Sequence, residues 1–233
     1  VVNMQNIHDD TTANMRHTLT DLYQHMANHY GPTHWWPGDS PFEIAIGAIL
    51  TQNTAWTNVE RAIQNLKDQD LLAPQALLDV DTPTLETALR PSGYFRQKAK
   101  RLRIFSEHLI THYTGDMANL AQRPLGELRE ELLTLHGIGP ETADDILLYA
   151  CDHPVFVVDV YTRRILSRHG IVPPDIKYEA LRATFEDHLP HDLQTFREFH
   201  GLIVFTAKDF CKSKASCEGC PLVSLLKKGQ PKL

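Results

Sequence analysis

Apolar residues recur at helical spacing along most of this chain, with Pro, Gly, Asp or Ser interrupting the pattern between runs. Leu19, Leu22, Tyr23 and Met26 form one set, Phe42, Ile44, Ile46, Ile49 and Leu50 a second, and Val59, Ile63 and Leu66 a third. Further sets are Leu102, Ile104, Phe105 and Leu109, then Leu125, Leu128, Leu132 and Leu135, then Ile146, Leu147 and Tyr149. Pro41 and Pro140 stand where a first helical turn tolerates proline, and Ser40 is placed to cap the helix after it. Strand signals are scarce. VFVVDV at 155–160 has strand-like composition but no evident partner strand, so it reads as a buried connection into a helix from Tyr161. The pattern predicts a mostly helical protein with short connections, in one large domain or two small ones.

Helical patterns over 125–135 and 140–150 are joined by His136-Gly137-Ile138-Gly139. Two glycines two apart permit backbone conformations that are costly for other residues, and they leave amides open at the start of the next helix. Such a turn can hold a phosphate without reading sequence, while a bare GxG is more often a plain connection. The apolar Ile138 between the glycines, and Thr142-Ala143 leading into an apolar helix, favour the grip. Downstream, Asp159 sits inside an apolar run, where a carboxylate can cap the next helix or stabilise positive charge in a dry pocket.

Composition is ordinary for a globular protein, with 42% hydrophobic and 22% charged residues in 233. No apolar run approaches the ~18 residues of a membrane span, and the polar N-terminal segment lacks a signal-peptide core, so a cytoplasmic location is expected; a monomer is expected as well. A net charge of −6 argues against a generic nucleic-acid binder. Basic residues nevertheless cluster in RQKAKRLR at 96–103, at Arg163, Arg164 and Arg168, and between Lys208 and Lys232. Each alone fits a solvated helix face; together they suggest an electrostatic footprint on DNA.

LHGIGPETADDILLYA followed by VVDVYTRRIL resembles the helix-hairpin-helix and aspartate signature of the endonuclease III superfamily of DNA glycosylases. The likeness extends to GAILTQNTAWTNVERAIQNL, RPSGYFRQKAKRL and the C-terminal CKSKASCEGCPL. It implies double-stranded DNA with damaged bases as partner, base removal as activity, and Asp159 as the catalytic carboxylate. Cleaving an N-glycosidic bond develops oxocarbenium character that a fixed carboxylate stabilises. Members that also cut the backbone carry a Lys two positions after the second hairpin Gly, and that amine forms a Schiff base. Here the position is Glu141, so the chain is expected to use water as nucleophile. Glu141 reads equally as a contact to base or water and as a favourable carboxylate in a first helical turn.

Trp35, Trp36 and Pro37 in HWWPG can stack a flipped base, the more so a cationic alkylated one, or simply anchor a loop. With Glu141 and RPSGY they resemble the 3-methyladenine DNA glycosylase branch of the superfamily, which implies an N-alkylated purine as substrate. By the same resemblance Gln52, with Asn53 beside it, and Tyr94 enter the duplex from two loops to fill the gap left by the base. Lys98 is expected to hold a flanking phosphate, as are His136, Gly137, Ile138, Gly139 and Thr142 of the hairpin region. The resemblance also implies an all-α protein of two lobes, a helical bundle over 40–152 and a second helical domain joining 1–39 to 153–233, with DNA lying across the cleft between them.

Cys211, Cys217 and Cys220 give C-x5-C-x2-C, but Leu226 stands where relatives place a fourth Cys. A four-thiolate [4Fe–4S] site needs one more ligand. The three thiols leave open a cluster with a non-Cys ligand, a zinc with Asp or His, or the remnant of a lost site; the retained CEGCPL spacing favours a cluster. Rival functions are a bifunctional glycosylase/lyase, a mismatch-specific glycosylase, and a non-catalytic structure-specific DNA-binding protein.

Overall fold

The structure, a computed structural model, describes residues 4–35 and 38–226. Among the described residues the protein is all-helical, without strands; an isolated bridge pairs Cys211 with Ala215. The chain divides into two compact units, one bounded as Trp36–His153 and the other combining Val1–Trp35 with Pro154–Leu233.

The discontinuous unit begins with α1 (Met4–Tyr30), whose Leu19, Leu22 and Met26 are fully buried at the predicted spacing. The central unit then carries α2 (Pro41–Leu50), α3 (Trp56–Lys67), α4 (Pro74–Asp79), α5 (Thr82–Leu89), α6 (Phe95–Tyr113), α7 (Met117–Ala121), α8 (Leu125–Thr134) and α9 (Pro140–Asp145). Ser40 caps α2 as expected, its hydroxyl accepting the Glu43 amide at 3.2 Å with Pro41 in the first turn. The long α6 packs against α2, α4 and α5, burying Leu102, Phe105 and Leu109.

The apolar run after α9 departs from a simple helix. Ile146–Ala150 forms one wider turn, closed by the Cys151 amide on the Ile146 carbonyl five residues back at 3.0 Å. All five residues are buried, and the turn packs against α2 and α9.

The chain returns to the discontinuous unit through Val155–Val158, which is buried but unpaired with any strand among the described residues. A buried backbone needs partners, and a side chain supplies one: the Phe156 amide donates to Glu186 Oε1 at 2.9 Å, while Arg182 holds the same carboxylate. Then follow α10 (Val160–Arg168), α11 (Tyr178–Glu186) and α12 (Leu193–Asp209). Phe156 stacks on Phe185 at 3.8 Å and meets Phe196 and Phe199 edge-on, an aromatic centre for this unit.

Candidate functional site

In the central unit, the hairpin joins α8 to α9 as the glycine spacing predicts. Gly137 has φ +90°, a left-handed geometry that favours glycine. It also leaves room: a Cβ there would collide with the Arg101 side chain. Ile138 is buried and roots the turn, whereas His136, Gly139 and Glu141 are exposed. Gly139 is the N-cap of α9 and offers no side chain to cap the first turn, which Pro140 opens. Glu141 occupies that first turn.

The loops bearing Gln52 and Tyr94 belong to the same unit. Gln52 Nε2 donates to the Gly137 carbonyl at 2.9 Å and to Thr142 Oγ1 at 2.8 Å, while its Oε1 accepts from Arg101. In this state Gln52 and the buried Thr142 fasten a loop to the hairpin. Asn53 is exposed with φ +55°. Tyr94 has φ +45° and is 65% exposed, so a large aromatic ring is held outward by a backbone that aromatics seldom adopt.

Lys98 corrects the sequence reading. Its side chain is fully buried, with Nζ donating to the Leu50 carbonyl at 2.8 Å and the Ser92 carbonyl at 2.7 Å, so it is not placed to meet a phosphate. Burial, assisted by the nearby Arg101 charge, pushes its pKa down to about 8. The rest of the 96–103 basic run is also partly committed: Arg101 binds Gln52, and Arg103 binds the carbonyls of Leu77 and Val80. Lys100 and Arg96 are exposed.

In the discontinuous unit, Asp159 is the N-cap of α10. Oδ1 accepts from the Thr162 amide at 2.7 Å and the Thr162 hydroxyl at 2.8 Å, forming a capping box. The other oxygen faces His200 Nε2 at 3.8 Å, with the Asp159 side chain only 10% exposed and that of His200 4%. Burial is the largest single influence and opposes ionisation, but attraction to His200 and the Thr162 hydrogen bonds together outweigh it. The Asp159 carboxyl is therefore held below its usual range. The helix-capping reading of this residue is thus met by one oxygen alone, and the other faces His200.

Trp35 is half-buried against α12, edge-on to Phe205 at 5.7 Å, with Lys208 Nζ 5.2 Å from its ring centre. Two residues not singled out in the sequence hold its loop. Glu198 accepts from the Thr33 amide at 2.6 Å and from its hydroxyl at 3.1 Å. Gly201 allows the close approach, since a Cβ there would lie 2.6 Å from Thr33 Oγ1 and 2.7 Å from Trp35 Cβ. A lone glycine inside the apolar α12 pattern is the signal that marks such an approach. Trp36 and Pro37 lie outside the described residues.

Cys211, Cys217 and Cys220 line one small cavity of this unit, and the side chain of Leu226 lines it too. Arg168 braces the loop, donating to the Lys212 and Ser213 carbonyls at 2.7 Å each and to Cys211 Sγ at 3.2 Å. Among the described residues, no three His, Cys, Asp or Glu side chains are grouped to hold a metal ion. The three thiols and a leucine do not make the complete donor set of a four-thiolate cluster. No helix among the described residues is long and apolar enough to cross a membrane.

Residues 46–191 match the family model described as HhH-GPD superfamily base excision DNA repair protein. A Methanocaldococcus jannaschii protein, MJ1434, provisionally named as a DNA repair glycosylase, is 46% identical over 86% of this chain and 92% of its own length. Endonuclease III of Thermotoga maritima is 32% identical over 77% of this chain and 79% of its own. Among solved structures, the Helicobacter pylori 3-methyladenine DNA glycosylase bound to 1,N6-ethenoadenine is 31% identical. It superposes with a TM-score of 0.72, covering 83% of this chain and 97% of that one.

Proposed function

Because the chain belongs to the HhH-GPD superfamily of base excision DNA repair proteins, and is thus a DNA glycosylase, we propose that it is a monofunctional one acting on N-alkylated purines in duplex DNA. The observation that carries the reading is the pair Asp159 and Glu141: a largely buried carboxylate whose pKa His200 and Thr162 hold low, and a second carboxylate where a lyase keeps its lysine. The lesion base leaves its stack and presents C1′ to Asp159. As the C1′–N bond breaks, the base departs with the bonding pair, and Asp159 stabilises the positive charge growing on the sugar. Water supplies the oxygen that bonds to C1′, and its proton passes to Asp159 or solvent. An alkylated purine is a favourable leaving group because it departs from a cationic state, and Trp35 supplies an aromatic face suited to it.

Among the described lysines, Lys98 has the depressed pKa that a Schiff-base nucleophile needs, but its buried amine is engaged by two carbonyls, which argues against lyase chemistry through it. The H. pylori relative, named for 3-methyladenine and bound to an ethenoadenine, supports the substrate class. The Cys loop takes no part in the reaction.

A panel of duplexes carrying alkylated, oxidised, deaminated or mismatched bases, assayed with and without alkali, tests the reading. Release of an alkylated purine, with strand breaks only after alkali, is expected. Strand breaks without alkali, together with a borohydride-stable protein–DNA adduct, would replace it with the bifunctional enzyme. Preferential release of a mismatched base would change the substrate class, and release of no base at all would leave a DNA-binding protein.

A further inference from the structure

Two loops of the central unit begin at helical termini whose last carbonyls share one partner. Thr51–Thr54 follows the last residue of α2, Leu50, and Gly93-Tyr94 follows the short helical turn Arg90–Ser92. Terminal carbonyls of helices lack intrahelical partners. Here the carbonyls of Leu50 and Ser92 both accept from one donor, Lys98 Nζ. The backbone takes positive φ three residues beyond Leu50, at Asn53 with φ +55°, and directly beyond Ser92, at Gly93 and Tyr94 with φ +67° and +45°. Non-glycine residues persist there only where the surroundings fix them. One turn further along α6, Arg101 binds Gln52, which in turn binds the hairpin at Gly137 and Thr142. One face of α6 thus fastens three loops through two basic side chains, three residues apart.

We propose that Lys98 is a positioning residue, a buried pin that sets the spacing of the two loops carrying Gln52 and Tyr94 and so lets both enter the duplex together. The inference rests on the reading of those two side chains as the groups that fill the gap left by an extruded base. It assigns Lys98 no contact with DNA, substrate or reacting atoms. An ammonium suits the task because it is a compact donor with three hydrogens, and an apolar residue of similar length would leave two buried carbonyls unsatisfied.

The test uses the full chain, wild type and Lys98→Met, at a temperature where both are folded. The probe is a duplex with 2-aminopurine beside a tetrahydrofuran abasic site, whose fluorescence rises when the stack is opened. Affinity for unmodified duplex is measured across salt concentrations in parallel. The pin predicts that Lys98→Met loses about tenfold in the equilibrium for stack opening, as when a wedge no longer offsets the few-kcal cost of unstacking. Its salt slope for plain duplex should match wild type. A slope reduced by about one with opening intact would mark a phosphate contact instead and overturn the proposal; so would no change in either quantity. A merely destabilised fold would lower opening and plain binding together, and that outcome also counts against the pin.

Should Lys98→Met fail to fold, amine labelling of the wild type followed by mass spectrometry decides. Lys98 is expected to stay unlabelled in free protein while exposed Lys100 reacts, and rapid labelling of Lys98 that DNA suppresses would overturn the pin. None of these measurements needs base release. If no lesion is processed, the proposed activity fails while the pin is still judged.

Discussion

Asp159 and Lys98 are both buried charges, one in each unit of the chain, and their surroundings act on them in opposite directions. Around Asp159, a histidine, a cap amide and a hydroxyl together outweigh burial, and the carboxyl pKa is held below its usual range. Around Lys98 the partners are two neutral carbonyls, and the Arg101 charge repels rather than offsets burial, so the pKa falls to about 8. The first arrangement suits a group whose charge meets another charge developing in a reaction. The second suits a group valued for the hydrogen bonds it donates, since a neutral amine still donates them. Burial alone therefore distinguishes neither role; the partners do.

The largest effect should come from removing the charge of Asp159 while keeping its shape. Asp159→Asn is expected to lower base release by about a hundredfold or more, with affinity for lesion duplex unchanged by titration. Equal loss of both would erase the contrast with Lys98. Next, His200→Leu takes away the opposing group, so burial should raise the Asp159 pKa. The acid limb of the release-versus-pH profile should then move to higher pH.

Stability against pH separates the two charges by sign. The depressed Asp159 pKa contributes stability that is present above the ordinary carboxyl value and lost as pH falls through the lowered one. Lys98 also has a depressed pKa, but as a base it costs stability while protonated. That cost is full below about 8 and is relieved as pH rises toward the ordinary 10.5. Denaturant melts of the wild type between those values should show this alkaline gain, and Lys98→Met should lack it. The smallest effect is expected from Thr162→Val, which deletes one donor to Asp159 and should cost about 1 kcal/mol in the same melts.

Much of this was legible before the fold was known. Glycine spacing marked the hairpin, Ser40 and Pro41 marked the start of α2, and the apolar run before Asp159 marked a buried connection. Those features are local, and each is carried by a few adjacent residues. Lys98 was misread because a run of basic residues suggests a wet surface. Its position tells otherwise: it lies on the stripe continued by Leu102, Phe105 and Leu109, at spacings of four, three and four. The wide turn at Ile146–Ala150 left no such mark, since apolar residues fill a helix and a wider turn alike. The grip of Gln52 on the hairpin was equally hidden, because the two segments are 85 residues apart.

The close fit between Gly137 and Arg101 has an evolutionary corollary. The space a side chain at 137 would fill is already occupied by the guanidinium arm from 101. The two positions share a single parcel of volume, and neither can grow unless the other shrinks. In a set of related sequences they should covary, with larger residues at 137 tolerated only where 101 is short and where the local backbone no longer requires glycine.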